Sequence, residues 1–214
     1  MNINPQAKRI LCYGDSNTWG FIPGTGNRYA PDIRWTGLLQ KALGDGFEII
    51  EEGLNGRTTA FEHPDATGKN GATYLKSCLP SHYPVDLVIL MLGTNDLRES
   101  LQKTPAQIAD GIDELLSIID NSDYNYGSKP EVIILAPPIV DESADGVKDD
   151  HSKAQEKSEQ WAEYYNKVAE KNNCEFINTA EFLESSKIDG FHLDKNAQVK
   201  LAEMLVRKIK QIYG

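Results

Sequence analysis

The stretch Asp86-Leu-Val-Ile-Leu-Met-Leu92 constrains the fold of this chain more than any other. It has no polar residue after Asp86, the pattern of a parallel strand covered by packing on both faces. Such a strand needs neighbouring strands and flanking helices, and the remaining sequence supplies both. Residues 9–13, 47–50, 131–135 and 174–177 read as further short strands. Residues 32–43, 74–78, 105–119, the charged stretch bearing Trp161, Tyr164, Tyr165 and Val168, and residues 196–212 read as helices with one apolar stripe. Asp32 is placed as a cap or first-turn acid of the first helix.

Strand and helix thus alternate about five times, which predicts an open sheet with helices on both faces. The expected fold is α/β: a three-layer α/β/α sandwich around a central, mainly parallel five-stranded sheet, in one domain spanning residues 1–214. A content of 40% hydrophobic and 25% charged residues suits an ordinary globular core. Open sheets of this kind bind ligands beyond the carboxyl ends of their strands. Ser16 follows the first strand there, Gly56 the second and Asn95 the third, while His192 lies in the loop after the last.

Several function classes are disfavoured. A net charge of −10 repels phosphate backbones, so nucleic acid is not an expected partner, and Arg207, Lys208 and Lys210 read as the charged end of a terminal helix. No apolar run approaches the roughly 20 residues of a membrane span, and Lys8 and Arg9 precede no signal-type segment, which points to the cytoplasm and to no membrane partner. Cys12, Cys78 and Cys174 form neither an even disulfide framework nor a close metal-ligand pattern, and Cys12 and Cys174 are expected as buried packing. The glycine-rich phosphate loop, the nucleotide-binding lysine motif and the His-Glu-x-x-His pattern are all missing, so no cofactor and no metal are expected.

A serine hydroxyl needs a base to become a nucleophile, usually a histidine held by a carboxylate. Of His63, His82, His151 and His192, only the last sits in a segment built for that role, Ile188-Asp-Gly-Phe-His-Leu-Asp194. Asp189 stands three residues before it, and Gly190 permits the chain to bend back. The Ser16 and Gly56 N–H groups and the Asn95 amide are candidate donors to a developing oxyanion. Each residue alone also has a structural explanation: Ser16 and Asn17 as helix caps, Asn95 and Asp96 as a turn, Gly56 as a bend. Their occurrence together at successive strand ends favours the catalytic reading.

The blocks Gly14-Asp-Ser-Asn17, Asn55-Gly56, Gly93-Thr-Asn-Asp96 and Asp189-Gly-Phe-His192 resemble, in order, those of the SGNH or GDSL-type hydrolases. Asn17 stands where the family name has leucine. The stretches Ile10–Gly20, Arg34-Trp-Thr-Gly37 and Glu51-Glu-Gly-Leu54 are similar to the mycobacterial arylesterase and acyltransferase branch. The resemblance implies a flavodoxin-like three-layer fold, a triad of Ser16, Asp189 and His192, and an oxyanion hole of Ser16, Gly56 and Asn95. It also implies hydrolysis of short-chain esters, acyl transfer to water, alcohol or peroxide, and assembly into homo-oligomers. Trp35, Trp161 and Tyr164 are either exposed for that assembly or part of the core. Asp15, Asn17 and Trp19 are expected at the substrate pocket, with segments 20–32 and 140–150 lining or covering it. Two other readings are carried forward: a carbohydrate O-deacetylase, with Tyr29 as a loop aromatic, and a noncatalytic binding protein on the same fold.

Overall fold

The computed structural model describes residues 2–63, 65–124, 127–147 and 151–214. Five strands, β1 (Lys8–Gly14), β2 (Phe47–Gly53), β3 (Leu87–Met91), β4 (Glu131–Ala136) and β5 (Glu175–Asn178), form one sheet in the order β2-β1-β3-β4-β5. All of its pairings are parallel. The order reverses at β1: the chain leaves it toward β2 on one side and returns to β3 on the other. In open sheets of this kind, ligands bind beyond the carboxyl ends of the strands that flank such a reversal.

Alternation along the strands separates two apolar layers. Leu11, Tyr13, Val88, Leu90 and Ile134 face α3 (Gly71–Ser81), α4 (Pro105–Asp120) and α6 (Trp161–Asn172). Ile10, Cys12, Ile89, Met91, Ile133 and Leu135 face α2 (Trp35–Leu43) and α7 (Lys195–Tyr213). The short helices α1 (Ser16–Trp19) and α5 (Ala154–Ser158) complete the set. Trp35 and Trp161 are fully buried in these layers and Tyr164 is half-buried, so the two tryptophans are core and give no exposed face for self-association.

Element boundaries differ from expectation where caps and tertiary bonds intervene. Helix α2 begins at Trp35, not Asp32, because Ile33 and Arg34 both turn back onto the Ala30 carbonyl and the Trp35 N–H is taken by Gln198 Oε1 at 2.8 Å. Helix α3 extends beyond residues 74–78 because Asn70 caps its start by accepting the Thr73 N–H at 3.0 Å. Asp86 lies outside β3, where its carboxylate accepts from the Arg9 N–H at 2.8 Å and Lys8 Nζ at 2.7 Å. Cys12 is buried as expected, Cys174 is half-buried immediately before β5 rather than fully packed, and Cys78 is buried.

Two of the sequence blocks meet across the edge of the sheet. Arg34 grips Glu51 in a bidentate pair, Nε to Oε1 and Nη2 to Oε2 both at 2.6 Å, and the Thr36 hydroxyl also donates to Glu51. Burial raises the Glu51 carboxyl, but these partners outweigh it and hold the group below its usual value. The pair fixes the start of α2 against β2.

Candidate active site

At the end of β1 the chain turns from strand to helix within two residues. Gly14 allows this because a Cβ there would lie 2.0 Å from Thr18 Oγ1 and 2.7 Å from the Met91 carbonyl. Asp15 caps α1 by accepting the Asn17 N–H at 2.9 Å, which leaves Ser16 as the first helical residue, 6% exposed. Gly20 closes the helix in the left-handed conformation at φ 89°.

His192 reaches this turn from the loop before α7. Its Nε2 lies 2.9 Å from Ser16 Oγ and its Nδ1 lies 2.8 Å from Asp189 Oδ2. Gly190 makes the bend at φ 76°, and a Cβ there would meet the Asp141 carbonyl at 2.3 Å. Asp189 Oδ1 accepts the N–H groups of Phe191 and His192 at 3.2 and 3.1 Å, and Oδ2 also accepts from Gly24 at 3.1 Å. Burial pushes this carboxyl upward, yet the His192 hydrogen bond and charge, joined by the two N–H groups of its own loop, hold it below the ordinary aspartate range. The structure thus brings Ser16, His192 and Asp189 into one hydrogen-bonded line.

The donors on the neighbouring loops are stitched together. Leu54 N–H donates to the Gly14 carbonyl at 3.1 Å, and Gly56 adopts φ 78° in the turn that follows. Among the described residues, neither the Ser16 nor the Gly56 N–H donates to another protein atom. Asn95 Nδ2 donates to the Arg57 carbonyl at 3.0 Å, which orients the amide and leaves its second N–H for a ligand. Gly93, at φ 131°, brings the chain to Asn95; a Cβ there would collide with the Tyr165 hydroxyl at 2.3 Å, which itself donates to the Leu92 carbonyl at 2.9 Å.

Arg57, Phe21 and Gly24 were not singled out by sequence. The Arg57 guanidinium is buried between Tyr13 and Tyr74, 4.2 and 5.0 Å from their ring centres, and donates to the carbonyls of Gly14 (2.9 Å) and Glu52. One side chain therefore ties the ends of β1 and β2 together beside Gly56. Phe21 stacks on the His192 ring with centroids 4.2 Å apart, a face able to stabilise an imidazolium. Gly24 follows in the same segment, so segment 20–32 does touch the dyad. Residues 140–147 support the His192 loop from behind through Asp141 N–H to the Gly190 carbonyl at 3.0 Å and Gly146 N–H to the Ile188 carbonyl at 3.1 Å. Residues 148–150 of that segment lie outside the described residues.

Two residues expected at the substrate pocket turn inward instead. Asp15 is fully buried beneath Ser16, and Asn17 is 1% exposed. Asn17 Oδ1 accepts the Leu193 N–H at 2.9 Å and its Nδ2 donates to the Phe191 carbonyl at 3.2 Å, so it clamps the backbone on both sides of His192. A leucine could not make either bond. Trp19 is half-buried, with Arg28 5.3 Å over its ring and Phe21 6.4 Å away; the aromatic ring against His192 is Phe21.

A second buried carboxyl lies close by. Asp96 accepts from the Thr59 N–H at 3.0 Å and the Thr59 hydroxyl at 2.6 Å, tying the third block to the loop after Gly56. Burial pushes Asp96 up to about 7, with the Asp15 charge adding to the rise against the Thr59 bonds. Burial likewise raises Asp15 to about 6, despite the Asn17 N–H and the charges of His192 and Arg57. A carboxyl raised in the folded state costs stability once ionised, so this contribution is lost as pH rises from about 4 to about 7 for Asp96. Asp96→Asn should remove that loss: the melting temperature of the variant minus that of the parent should increase across this window. A difference constant with pH would contradict the buried-acid account.

The chain belongs to the GDSL-like lipase/acylhydrolase family, whose model matches residues 12–198, and it is an esterase-type acylhydrolase. The aryl esterase of M. smegmatis is 36% identical, covering 96% of this chain and 99% of its own, with a TM-score of 0.90. A carbohydrate acetylesterase from Sinorhizobium meliloti gives the same identity, coverage and TM-score. A member of the lipolytic G-D-S-L family from Veillonella parvula shares the fold at 15% identity and a TM-score of 0.68, over 94% of this chain and 97% of its own. No curated protein matches the chain. No helix among the described residues is long and apolar enough to cross a membrane.

Proposed function

We propose that this protein is a serine esterase that hydrolyses short-chain carboxylic esters through an acyl-enzyme on Ser16. The observation that carries the reading is the bridging imidazole, with one nitrogen 2.9 Å from Ser16 Oγ and the other 2.8 Å from Asp189. His192 accepts the Ser16 proton as the hydroxyl attacks the ester carbonyl, and Asp189 stabilises the imidazolium. The Ser16 and Gly56 N–H groups and the Asn95 amide hold the oxyanion. His192 then returns the proton to the departing alcohol. Water takes the acyl group in a second, mirrored attack, and a small alcohol or peroxide takes it when present.

Removing one donor to the oxyanion is worth about 10²–10³ in kcat. Asn95→Ala should therefore lower kcat on an aryl acetate by that factor with little change in KM. An unchanged kcat in the folded variant would remove Asn95 from the oxyanion hole.

A second reading is a carbohydrate O-deacetylase, favoured by the equal likeness to the Sinorhizobium carbohydrate acetylesterase. Initial rates on short-chain aryl esters and acetylated oligosaccharides separate the two. Fast aryl-ester turnover with negligible sugar-ester turnover supports the simple esterase, and the opposite ranking supports the deacetylase. Turnover of neither would contradict both.

A further inference from the structure

We propose that Glu52, Cys78 and His82 form a second site, apart from Ser16 and His192, that binds a divalent cation of the zinc type. Cys78 lies in the last turn of α3 and His82, four residues on, is the C-cap residue with α-region backbone, so the two side chains fall on the same side of that helix end. Glu52, on the outermost strand β2, meets that side from the sheet. One donor atom from each of the three residues lies within 4.8 Å of the other two.

Thiolate, imidazole and carboxylate together are a donor set suited to zinc, with bonds of roughly 2.0–2.3 Å to the metal. His82 Nε2 and Glu52 Oε1 are already 2.8 Å apart, so both can reach one ion from adjacent corners of its coordination shell. The three ligands leave a further position for water. The carboxylate is also steadied from behind: the Tyr74 hydroxyl donates to Glu52 Oε2 at 3.2 Å, the kind of outer contact that orients a metal ligand. Glu52 stands on a strand, Tyr74 and Cys78 on a helix, and His82 at the C-cap of that helix. Without a cation the cluster is held by the His82–Glu52 pair, and burial, with the Glu52 charge, pushes the Cys78 thiol up to about 12.

The position gives the site a consequence. The Glu52 backbone carbonyl accepts from Arg57, next to Gly56, so an ion fixed here joins β2, α3 and the turn that carries an oxyanion donor.

Cobalt(II) titrated into the full-length protein tests the assignment. The expected result is a thiolate-to-cobalt absorption band that saturates at one ion per chain, is displaced by zinc and is accompanied by a higher melting temperature. Cys78→Ser should abolish the band and His82→Gln should weaken it at least tenfold in affinity, whereas Cys12→Ser and Cys174→Ser should keep it. Absence of a thiolate band in the parent protein, or its persistence in Cys78→Ser, would overturn the proposal. Because the readout is metal absorption, failure here leaves the esterase reading untouched.

Discussion

Replacing Ser16 by alanine is expected to lower kcat on a short-chain aryl ester by roughly 10⁴–10⁶ while the fold is retained. The change deletes one oxygen from a residue at the first position of α1, and the cap that starts that helix comes from Asp15 and the Asn17 N–H. No packing of the apolar layers depends on it. What is lost is the atom 2.9 Å from His192 Nε2, and a folded variant with parental turnover would show that another group attacks the ester.

Asp189→Asn is the second large effect, with an expected fall in kcat of about 10⁴. The carboxylate accepts His192 Nδ1 and the N–H groups of Gly24, Phe191 and His192, so both oxygens face only donors. An asparagine must turn its NH₂ toward some of those donors, which misorients the imidazole and loosens the loop. The acid behaviour follows from the depressed carboxyl. Asp189 contributes stability above the unfolded aspartate value, and that contribution disappears as pH falls through the lower folded value. The stability gap between parent and Asp189→Asn should therefore narrow below about pH 4. A gap that widened on acidification, or a kcat within tenfold of the parent, would count against the orienting role.

Much of this arrangement was readable because the chemistry lies at strand ends, where local signals are strongest. The apolar run before Gly93, the turn glycines and the Asp189–His192 spacing each have a short-range physical cause. Asn17 shows the limit: its partners at Phe191 and Leu193 are 174 and 176 residues away, so its clamp has no local signature. Arg57 is similar, since a cation after a turn glycine reads as surface until Tyr13 and Tyr74 are seen around it. Phe21 sits in segment 20–32, expected to line or cover the site, but its stack on His192 depends on how that loop folds over and has no local signature. Asp32 does not start α2, because tertiary bonds from Gln198 and the Ala30 turn, rather than a side-chain cap, set its first residue.

The Cys78 and His82 pair illustrates the same limit for ligand sets. Cysteine spacing gives no metal-ligand pattern here, and the carboxylate that meets Cys78 and His82 belongs to β2, 26 residues before Cys78 in the chain. Sheet pairing and helix packing create that neighbourhood, and neither is visible in a spacing pattern.

In the proposed mechanism, one hydroxyl among all those in the chain is activated for attack. Treating the folded protein with an active-site-directed phosphonate and mapping the adduct by mass spectrometry reads that activation directly. The expected result is one phosphonyl group per chain on Ser16, formed in step with loss of esterase activity and absent from His192→Ala. Full inactivation with the label on a different residue, or full activity after stoichiometric labelling of Ser16, would contradict it.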